Sequence, residues 1–392
     1  MTRRKIVARC VSLAWLAIIA SHPGTTAATP PQQALSADAG QLDRLGAIDE
    51  VVARAIDNKQ MPGCVVLVGR QQGVVWRKAY GQRQVLPTTE AMTVDTLFDI
   101  ASLTKPIATA TSVMQLVDRG KLQVSDKVSQ HLPEFTGQQK EEITVEQLLL
   151  HTSGLIADNH LRDYQEGSET AWERICELKL SAAPGERFVY SDVGFIVLGK
   201  LVERVSGEPL DMYARTNLFT PLGMTESGYK PSTSLRDRAA PTEQRNGEWM
   251  RGEVHDPRAY ELGGVAGHAG VFSTADDLAK YATAMLQRGG AGNVRIFSED
   301  AWKLMTAPRE VPGRGLRALG WDSKSGYSSN RGKNFSPAAF GHGGFTGTAL
   351  WIDPELDLYV VFLSNRLHPD GKGSVNALAG EIGTIAADAL KP

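Results

Sequence analysis

Strand-like segments lie at both ends of this 392-residue chain, and the long region between them has the pattern of helices. Near the start, "CVVLVGRQQGVVWRKAYG" (64–81) holds two β-rich runs joined around Gln72-Gly73, which predicts a hairpin. Near the end, "TALWIDPELDLYVVFLSN" (348–365) repeats the pattern around a turn at 353–355. Amphipathic helices are predicted over 42–56 and 375–390. The chain therefore favours one sheet built from about 40–100 and 310–392, with a mainly helical part over about 101–309.

The first 28 residues have the pattern of a secretory signal peptide. Four basic residues (Arg3, Arg4, Lys5 and Arg9) precede the apolar run 11–20, and small residues follow, with cleavage expected after Ala27 or Ala28. A linker is expected over 29–39 and a folded catalytic domain over 40–392. The protein is therefore expected to be exported and to be periplasmic or secreted, with a membrane association only if the signal sequence stays uncleaved.

Charge and cysteine content exclude several classes of partner. Lys and Arg number 42 against 44 Asp and Glu, so a net charge of −2 predicts no binding to nucleic acid. Cys64 and Cys176 lie in apolar runs and are expected to be separate thiols, although a disulfide is the alternative. Neither H-E-x-x-H nor C-x-x-C occurs, so no metal and no cofactor are predicted.

A serine and a lysine lie three positions apart in "DIASLTKPIATATSVMQLVDRG" (99–120), where a helix is predicted to begin. Residues three apart share a helix face, so Ser102 and Lys105 are expected to project together. A serine hydroxyl becomes a nucleophile only beside a base or proton relay, which the lysine could supply. The alternative is a capping serine and a solvated lysine. Ser227-Gly-Tyr-Lys230 has the same spacing but is predicted to be a loop.

Two further stretches carry polar groups at element ends. "PGERFVYSDVGF" places Tyr190 at the mouth of a predicted helix that runs to Gly207, and "FGHGGFTGTALWI" leads from His342 through two glycines into the late strand. Glycines there allow a close approach of backbone to a ligand. Taken alone, the two stretches read as a core tyrosine and a glycine-rich turn.

In this order the three segments resemble the serine β-lactamase and penicillin-binding protein superfamily, and most closely its class C and esterase-like branch. Ser102-Leu-Thr-Lys105 is similar to the family's S-x-x-K, and Tyr190-Ser191-Asp192 to its Y-x-N. His342-Gly343-Gly344 stands where K-T-G is usual, and H-x-G is a familiar variant among esterase-like members. The resemblance covers about residues 45–385 and implies an α/β fold of the β-lactamase/transpeptidase type.

The resemblance also implies roles for individual residues. Ser102 would attack a carbonyl carbon and form an acyl-enzyme, while Lys105 would hold the Tyr190 phenol in a proton-accepting state of low pKa. Whether Lys105 or Tyr190 is the formal base stays open. The oxyanion hole would be the backbone N–H groups of Ser102 and Phe345. Five residues are expected to bind the substrate: Asp192, His268, His342, Gly343 and Gly344.

Two departures from the family pattern shape the expected activity. Asp192 replaces an asparagine amide, and His342 replaces a charged lysine that helps to hold a substrate carboxylate. Both favour small esters over β-lactams, and protonation of His342 near pH 6 is expected to improve carboxylate binding.

The sequence thus predicts an exported serine hydrolase acting on a small ester, an amide or a peptidoglycan peptide. The alternatives are a class C-like β-lactamase and a non-catalytic ligand-binding module of the same fold.

Overall fold

The computed structural model describes Thr2 and residues 38–313 and 315–391. The predicted signal peptide, apart from Thr2, and residues 29–37 of the predicted linker lie outside the described residues, so both stay predictions. No helix in the described ranges is long and apolar enough to cross a bilayer.

The strands fall mostly near the two ends of the described chain, as the sequence predicts. In chain order they are β1 (Gly63–Arg70), β2 (Gly73–Gln84), β3 (Glu90–Ala91), β4 (Phe98–Asp99), β5 (Gly228–Tyr229), β6 (Gln244–Arg245), β7 (Glu248–Trp249), β8 (Val271–Ser273), β9 (Gly290–Ala291), β10 (Val294–Arg295), β11 (Arg309–Val311), β12 (Gly315–Arg317), β13 (Asp322–Ser325), β14 (Phe340–Gly344), β15 (Thr348–Asp353) and β16 (Leu358–Ser364).

One antiparallel sheet joins the two ends of the chain. Its order is β11-β12-β13-β14-β15-β16-β1-β2-β3, with β1 between β16 and β2. Cys64 of β1 pairs with Ser364 of β16, so the first hairpin and the last strand meet at the middle of the sheet. The remaining strands form small two- and three-stranded sheets within the helical part.

The helices occupy the two ends and the region between. They are α1 (Ala39–Leu45), α2 (Ala47–Asp57), α3 (Thr111–Asp118), α4 (Val128–His131), α5 (Val145–Leu149), α6 (Ser168–Glu177), α7 (Asp192–Ser206), α8 (Leu210–Ala214), α9 (Thr233–Arg236), α10 (Pro257–Glu261), α11 (Ala275–Leu286), α12 (Glu299–Thr306) and α13 (Asn376–Leu390). The expected helix over 42–56 is two helices, because the helical structure is interrupted at Gly46, between α1 and α2.

The sheet is buried on both faces, which explains the continuous apolar run in β1. Val65 and Leu67 face a core shared with α3, α7 and α11, whereas Val66 and Val68 face a second core shared with α1, α2 and α13. Alternate residues of a strand point to opposite faces, so a strand between two helical layers is apolar throughout. Cys64 is buried and Cys176 is partly buried, and both are free thiols.

Candidate active site

The predicted nucleophile lies on a tight turn rather than on a regular α-helix. Ser102 belongs to a 3₁₀ turn (Ala101–Leu103), and a π-helical segment (Lys105–Ala110) connects it to α3. The sequence predicted a helix beginning near Ser102. Pro106 cannot donate a backbone hydrogen bond and restricts Lys105 before it, so the α-helical ladder is established only at Thr111.

The backbone directly before Ser102 is strained. Ala101 has φ +46°, a left-handed conformation that is unfavourable for a residue with a side chain. Its N–H donates to Asp99 Oδ1 at 2.8 Å, and the other oxygen of that buried carboxylate accepts the His255 N–H at 2.7 Å. Asp99 therefore holds the turn in the conformation that presents Ser102.

Lys105 brings together three oxygens inside the protein. The side chain is fully buried, and Nζ donates to Ser102 Oγ at 3.0 Å and to the carbonyl of His268 at 3.0 Å. Asp192 Oδ1 lies 2.6 Å from the same nitrogen as an ion pair. Burial by itself lowers the pKa of Lys105, but the negative charge of Asp192 and the hydrogen bonds to the ammonium outweigh it, and the pKa lies above its ordinary value. Lys105 is thus an ammonium ion and not the resting base.

Tyr190 lies beside this ammonium at the start of α7. Its ring centroid is 5.0 Å from Lys105 Nζ, and the ring stacks on His151 at 4.4 Å and on Tyr327 at 5.3 Å. The N-cap Ser191 accepts the Gly194 N–H at 3.0 Å and donates its own N–H to His151 Nδ1 at 3.0 Å. The helix start therefore fixes Tyr190 against the buried His151.

The pKa of Tyr190 does not follow the expectation of a lowered value. Burial raises this pKa most strongly, the nearby Lys105 charge lowers it, and the carboxylate of Asp192 raises it again. The net direction is upward, because burial and the carboxylate that stands in place of an asparagine together outweigh the effect of the lysine. Tyr190 is therefore a neutral phenol at neutral pH.

The glycine-rich stretch is itself a strand of the sheet and closes on the serine turn. A Cβ on Gly344 would lie 2.5 Å from the carbonyl oxygen of Ile100, so the two backbones are in close contact. Thr348 Oγ1 donates to that carbonyl at 3.1 Å, and Thr346 Oγ1 donates to the carbonyl of Asp99 at 2.7 Å. This edge of β14 brings Gly343, Gly344 and Phe345 next to the turn that carries Ser102. The oxyanion-hole role of Phe345 stays a prediction.

His342 is buried on β14, and its ring lies 5.9 Å from that of Tyr190. Its Nδ1–H donates to the carbonyl of Gly343 at 2.7 Å. Burial, and then the charges of Arg317 and Lys105, hold the pKa of His342 well below its usual range. This direction is opposite to the expectation that His342 becomes charged near pH 6, because burial and the two neighbouring cations all favour the neutral imidazole.

His268 lies behind the cleft and not on its surface. Its side chain is 1% exposed, and Nε2 contacts Asp256 Oδ1 at 2.8 Å. The expected contact of this side chain with substrate does not fit that position, because the ring is enclosed by protein. Asp192, Asp256 and His268 have donor atoms within 4.8 Å of one another, a spacing that could suit a metal. The Lys105 ammonium, however, contacts Asp192 and the His268 carbonyl and supplies the positive charge there.

A cleft of about 380 Å³ opens beside Tyr190 along the edge of β14. It is lined by Tyr190, Arg317, Asp322, Tyr327, Asn330, His342, Gly343, Gly344, Phe345, Arg366, Gly373, Ser374 and Asn376.

The sequence analysis did not identify three residues of this region. These are Arg317, which lines the cleft, and the two residues that support the site from behind, Asp99 under the serine turn and His151 under Tyr190. Arg317 lies in "GLRALGW", where an arginine in an apolar strand-like run could have drawn attention. The supports have no comparable signal, since their partners are remote in sequence.

Comparison with known proteins gives the family. The Beta-lactamase family model matches residues 48–383. The chain is 33% identical over 362 residues to an N-acetylmuramyl-L-alanine amidase of Bacillus subtilis (strain 168), covering 83% of this chain and 81% of that protein. It is 31% identical over 386 residues to the "Putative D-alanyl-D-alanine carboxypeptidase" of Escherichia coli (strain K12), covering 89% and 87%.

A solved structure described as a class C beta-lactamase has the same fold. It superposes with a TM-score of 0.74 at 19% identity and covers 91% of this chain and 99% of its own. The family-model match extends over the large sheet, the serine turn and β14 alike. The chain therefore belongs to the β-lactamase family and is a serine hydrolase of the β-lactamase and penicillin-binding protein fold.

Proposed function

We propose that this protein is an exported hydrolase that cleaves a small cell-wall peptide at an amide bond next to alanine, through an acyl-enzyme on Ser102. The observation that carries the proposal is the contact of 3.0 Å between Lys105 Nζ and Ser102 Oγ, inside an enclosed group that includes Tyr190 and Asp192. A capping serine with a solvated lysine would not give a fully buried ammonium. This arrangement favours an enzyme over a non-catalytic binding module.

The chemistry assigns one task to each side chain. Ser102 Oγ bonds to the carbonyl carbon as its proton passes to the Tyr190 oxygen in its phenolate form. Tyr190 then gives that proton to the leaving nitrogen as the amide bond breaks. Water hydrolyses the resulting ester by the same route, with Tyr190 accepting its proton and Ser102 regaining one. Lys105 stays charged throughout and stabilises the phenolate.

The substrate class rests on the named relatives. The amidase and the carboxypeptidase are both named for amide bonds that involve alanine. A small ester is the second candidate, because a neutral His342 offers no charge that would favour an anionic substrate. Export is supported by the basic and then apolar N-terminal segment.

Covalent labelling with a fluorophosphonate probe tests the nucleophile. We expect Ser102→Ala to abolish both labelling and hydrolysis of N-acetyl-D-alanyl-D-alanine, because only an activated serine reacts quickly. Ser227→Ala is the matched control, since Ser227 has the same S-x-x-K spacing but its hydroxyl donates to Asp277 Oδ2 at 2.9 Å. Loss of labelling in the Ser227 variant, with retention in the Ser102 variant, would refute the assignment.

A further inference from the structure

His255 connects two parts of the site that lie far apart in the sequence. Its backbone N–H donates to Asp99 Oδ2 at 2.7 Å, and the other oxygen of this buried carboxylate accepts the Ala101 N–H of the serine turn. Its ring stacks on that of Phe345, directly after β14, with 5.6 Å between the ring centroids and 28° between the planes. Ser102 and Phe345, the residues predicted to supply the oxyanion hole, are therefore both linked to one histidine.

Phe345 depends on such contacts because its side chain is not enclosed by protein. The residue is 61% exposed, so close packing does not fix its side-chain torsions. Besides His255, Arg366 contacts this residue: its guanidinium carbon is 4.7 Å from the Phe345 ring centroid, and it donates to the Phe345 carbonyl. These contacts help to fix the orientation of Phe345, including that of its backbone N–H.

The ring of His255 is held in turn by a carboxylate. Its Nε2 lies 2.6 Å from Glu243 Oε2, and the His255 side chain is only 15% exposed. The next residue, Asp256, is the N-cap of α10 and accepts the Ala259 N–H at 2.8 Å, so the backbone at His255 leads into a capped helix. A histidine held at both its ring and its backbone is a rigid support for the exposed phenylalanine.

We infer that His255 is a positioning residue, whose stacked ring keeps the backbone N–H of Phe345 aligned with that of Ser102 on the developing oxyanion. The inference rests on the proposed function, because it takes Ser102 as the nucleophile that converts a carbonyl oxygen into an oxyanion. Two donors stabilise this negative charge fully only where both point at the position that it occupies. His255 is joined to the serine turn through Asp99 and to Phe345 through the stack, so it keeps the two donors at a fixed spacing.

Replacement of the carbonyl oxygen of a substrate by sulfur tests this role. Sulfur is a weaker hydrogen-bond acceptor than oxygen, so an aligned oxyanion hole favours p-nitrophenyl acetate over p-nitrophenyl thionoacetate. The measurement is the ratio of kcat/KM for the ester to kcat/KM for the thionoester. We expect His255→Ala to reduce this ratio by about tenfold or more, because the ester loses more stabilisation than the thionoester does. Incomplete folding would lower both rates equally and leave the ratio unchanged.

Two further variants distinguish the stacked ring from the hydrogen bond to Glu243. His255→Phe keeps an aromatic ring next to Phe345 and should restore the wild-type ratio, whereas His255→Gln keeps a polar partner for Glu243 and should resemble His255→Ala. His131→Ala is the matched control and should keep the ratio, since His131 of α4 forms a similar pair with Asp126 at 2.9 Å. A ratio that survives His255→Ala, or that is restored by His255→Gln and not by His255→Phe, would overturn the role of the stack.

The reciprocal change at Phe345 tests whether the two rings act as one unit. Phe345→Ala removes the other half of the stack but keeps the backbone N–H, so it should reduce the ratio as His255→Ala does. The double variant should then be no worse than either single variant, because residues that act through one contact do not have additive effects. Additive losses would mean that the two residues act independently and would overturn the proposal.

Labelling separates this inference from the proposed function. Fluorophosphonate labelling of Ser102 in a protein whose ratio is insensitive to His255→Ala would overturn the positioning role and leave the serine hydrolase in place. A wild-type protein that is neither labelled nor active on either substrate would overturn both proposals.

Discussion

Asp192 has opposite effects on its two neighbours at the centre of the site. Its carboxylate, 2.6 Å from Lys105 Nζ, stabilises the charged lysine, and the same negative charge raises the pKa of Tyr190. An asparagine at this position would leave the lysine charge unopposed beside the phenol. In the proposed mechanism only the phenolate form of Tyr190 accepts the serine proton, so we expect the aspartate to move the activity to higher pH.

The residue scale gives a prediction for the pH profile. In wild type the raised pKa of Tyr190 places the acid limb of kcat/KM on the alkaline side, so the rate increases as the pH rises. Asp192→Asn should lower the pKa of Tyr190 and move this limb to lower pH, with a higher fraction of the maximal rate at neutral pH. The measurement is kcat/KM for a p-nitrophenyl ester across the pH range. Glu355→Gln is a distant control. An acid limb that stays in place, or moves to higher pH, would contradict Tyr190 as the base.

At the scale of elements, local sequence patterns were sufficient to predict the strands and helices whose structure depends mainly on their own residues. The hairpin β1–β2, the strands β15 and β16, α13 and the helix that ends before Gly207 are confirmed. The serine turn could not be predicted in this way, because Asp99 and the contacts from Thr346 and Thr348 hold it, and those contacts cross about 250 residues of chain.

The contact between β14 and the serine turn gives a prediction at this scale. Gly344→Ala places a Cβ 2.5 Å from the Ile100 carbonyl and should push β14 away from the turn, with a loss of about 1–3 kcal/mol in stability. A displacement of that kind typically reduces turnover by about 100-fold, because the groups around the reacting carbonyl lose their alignment. The measurements are kcat and the free energy of unfolding.

Gly194→Ala is the control for this change. Gly194 lies in α7, and the atom closest to an added Cβ is 3.6 Å away, which is ordinary contact. This variant should keep both kcat and stability. If Gly344→Ala kept a normal kcat, then the close approach of β14 to the serine turn would have no part in catalysis.

At the scale of the whole molecule, the fold class is confirmed, and different parts of the chain supply different residues of the site. The sheet built from both ends of the chain supplies β14 and Arg317, and the region between supplies Tyr190 and Asp192. The sequence could predict this division, because apolar residues recur with a different spacing in strands than in amphipathic helices. It could not predict the charges in the cleft, because Arg317 and His342 come together only when β12 and β14 join the same sheet.

The first and last helices of the described chain are neighbours, and this arrangement permits a circular permutant of the protein. Arg44 of α1 donates to the Ala389 carbonyl near the end of α13 at 2.9 Å, and both helices share one core. A short glycine-rich linker could therefore join residue 391 to residue 38 without crossing the cleft. New ends between Gly292 and Asn293, at an exposed turn, should leave labelling of Ser102 intact. Fluorophosphonate labelling of such a circular permutant measures whether the fold depends on the order of the segments along the chain or only on their contacts in the folded structure. An unfolded product that is not labelled would show that the order matters.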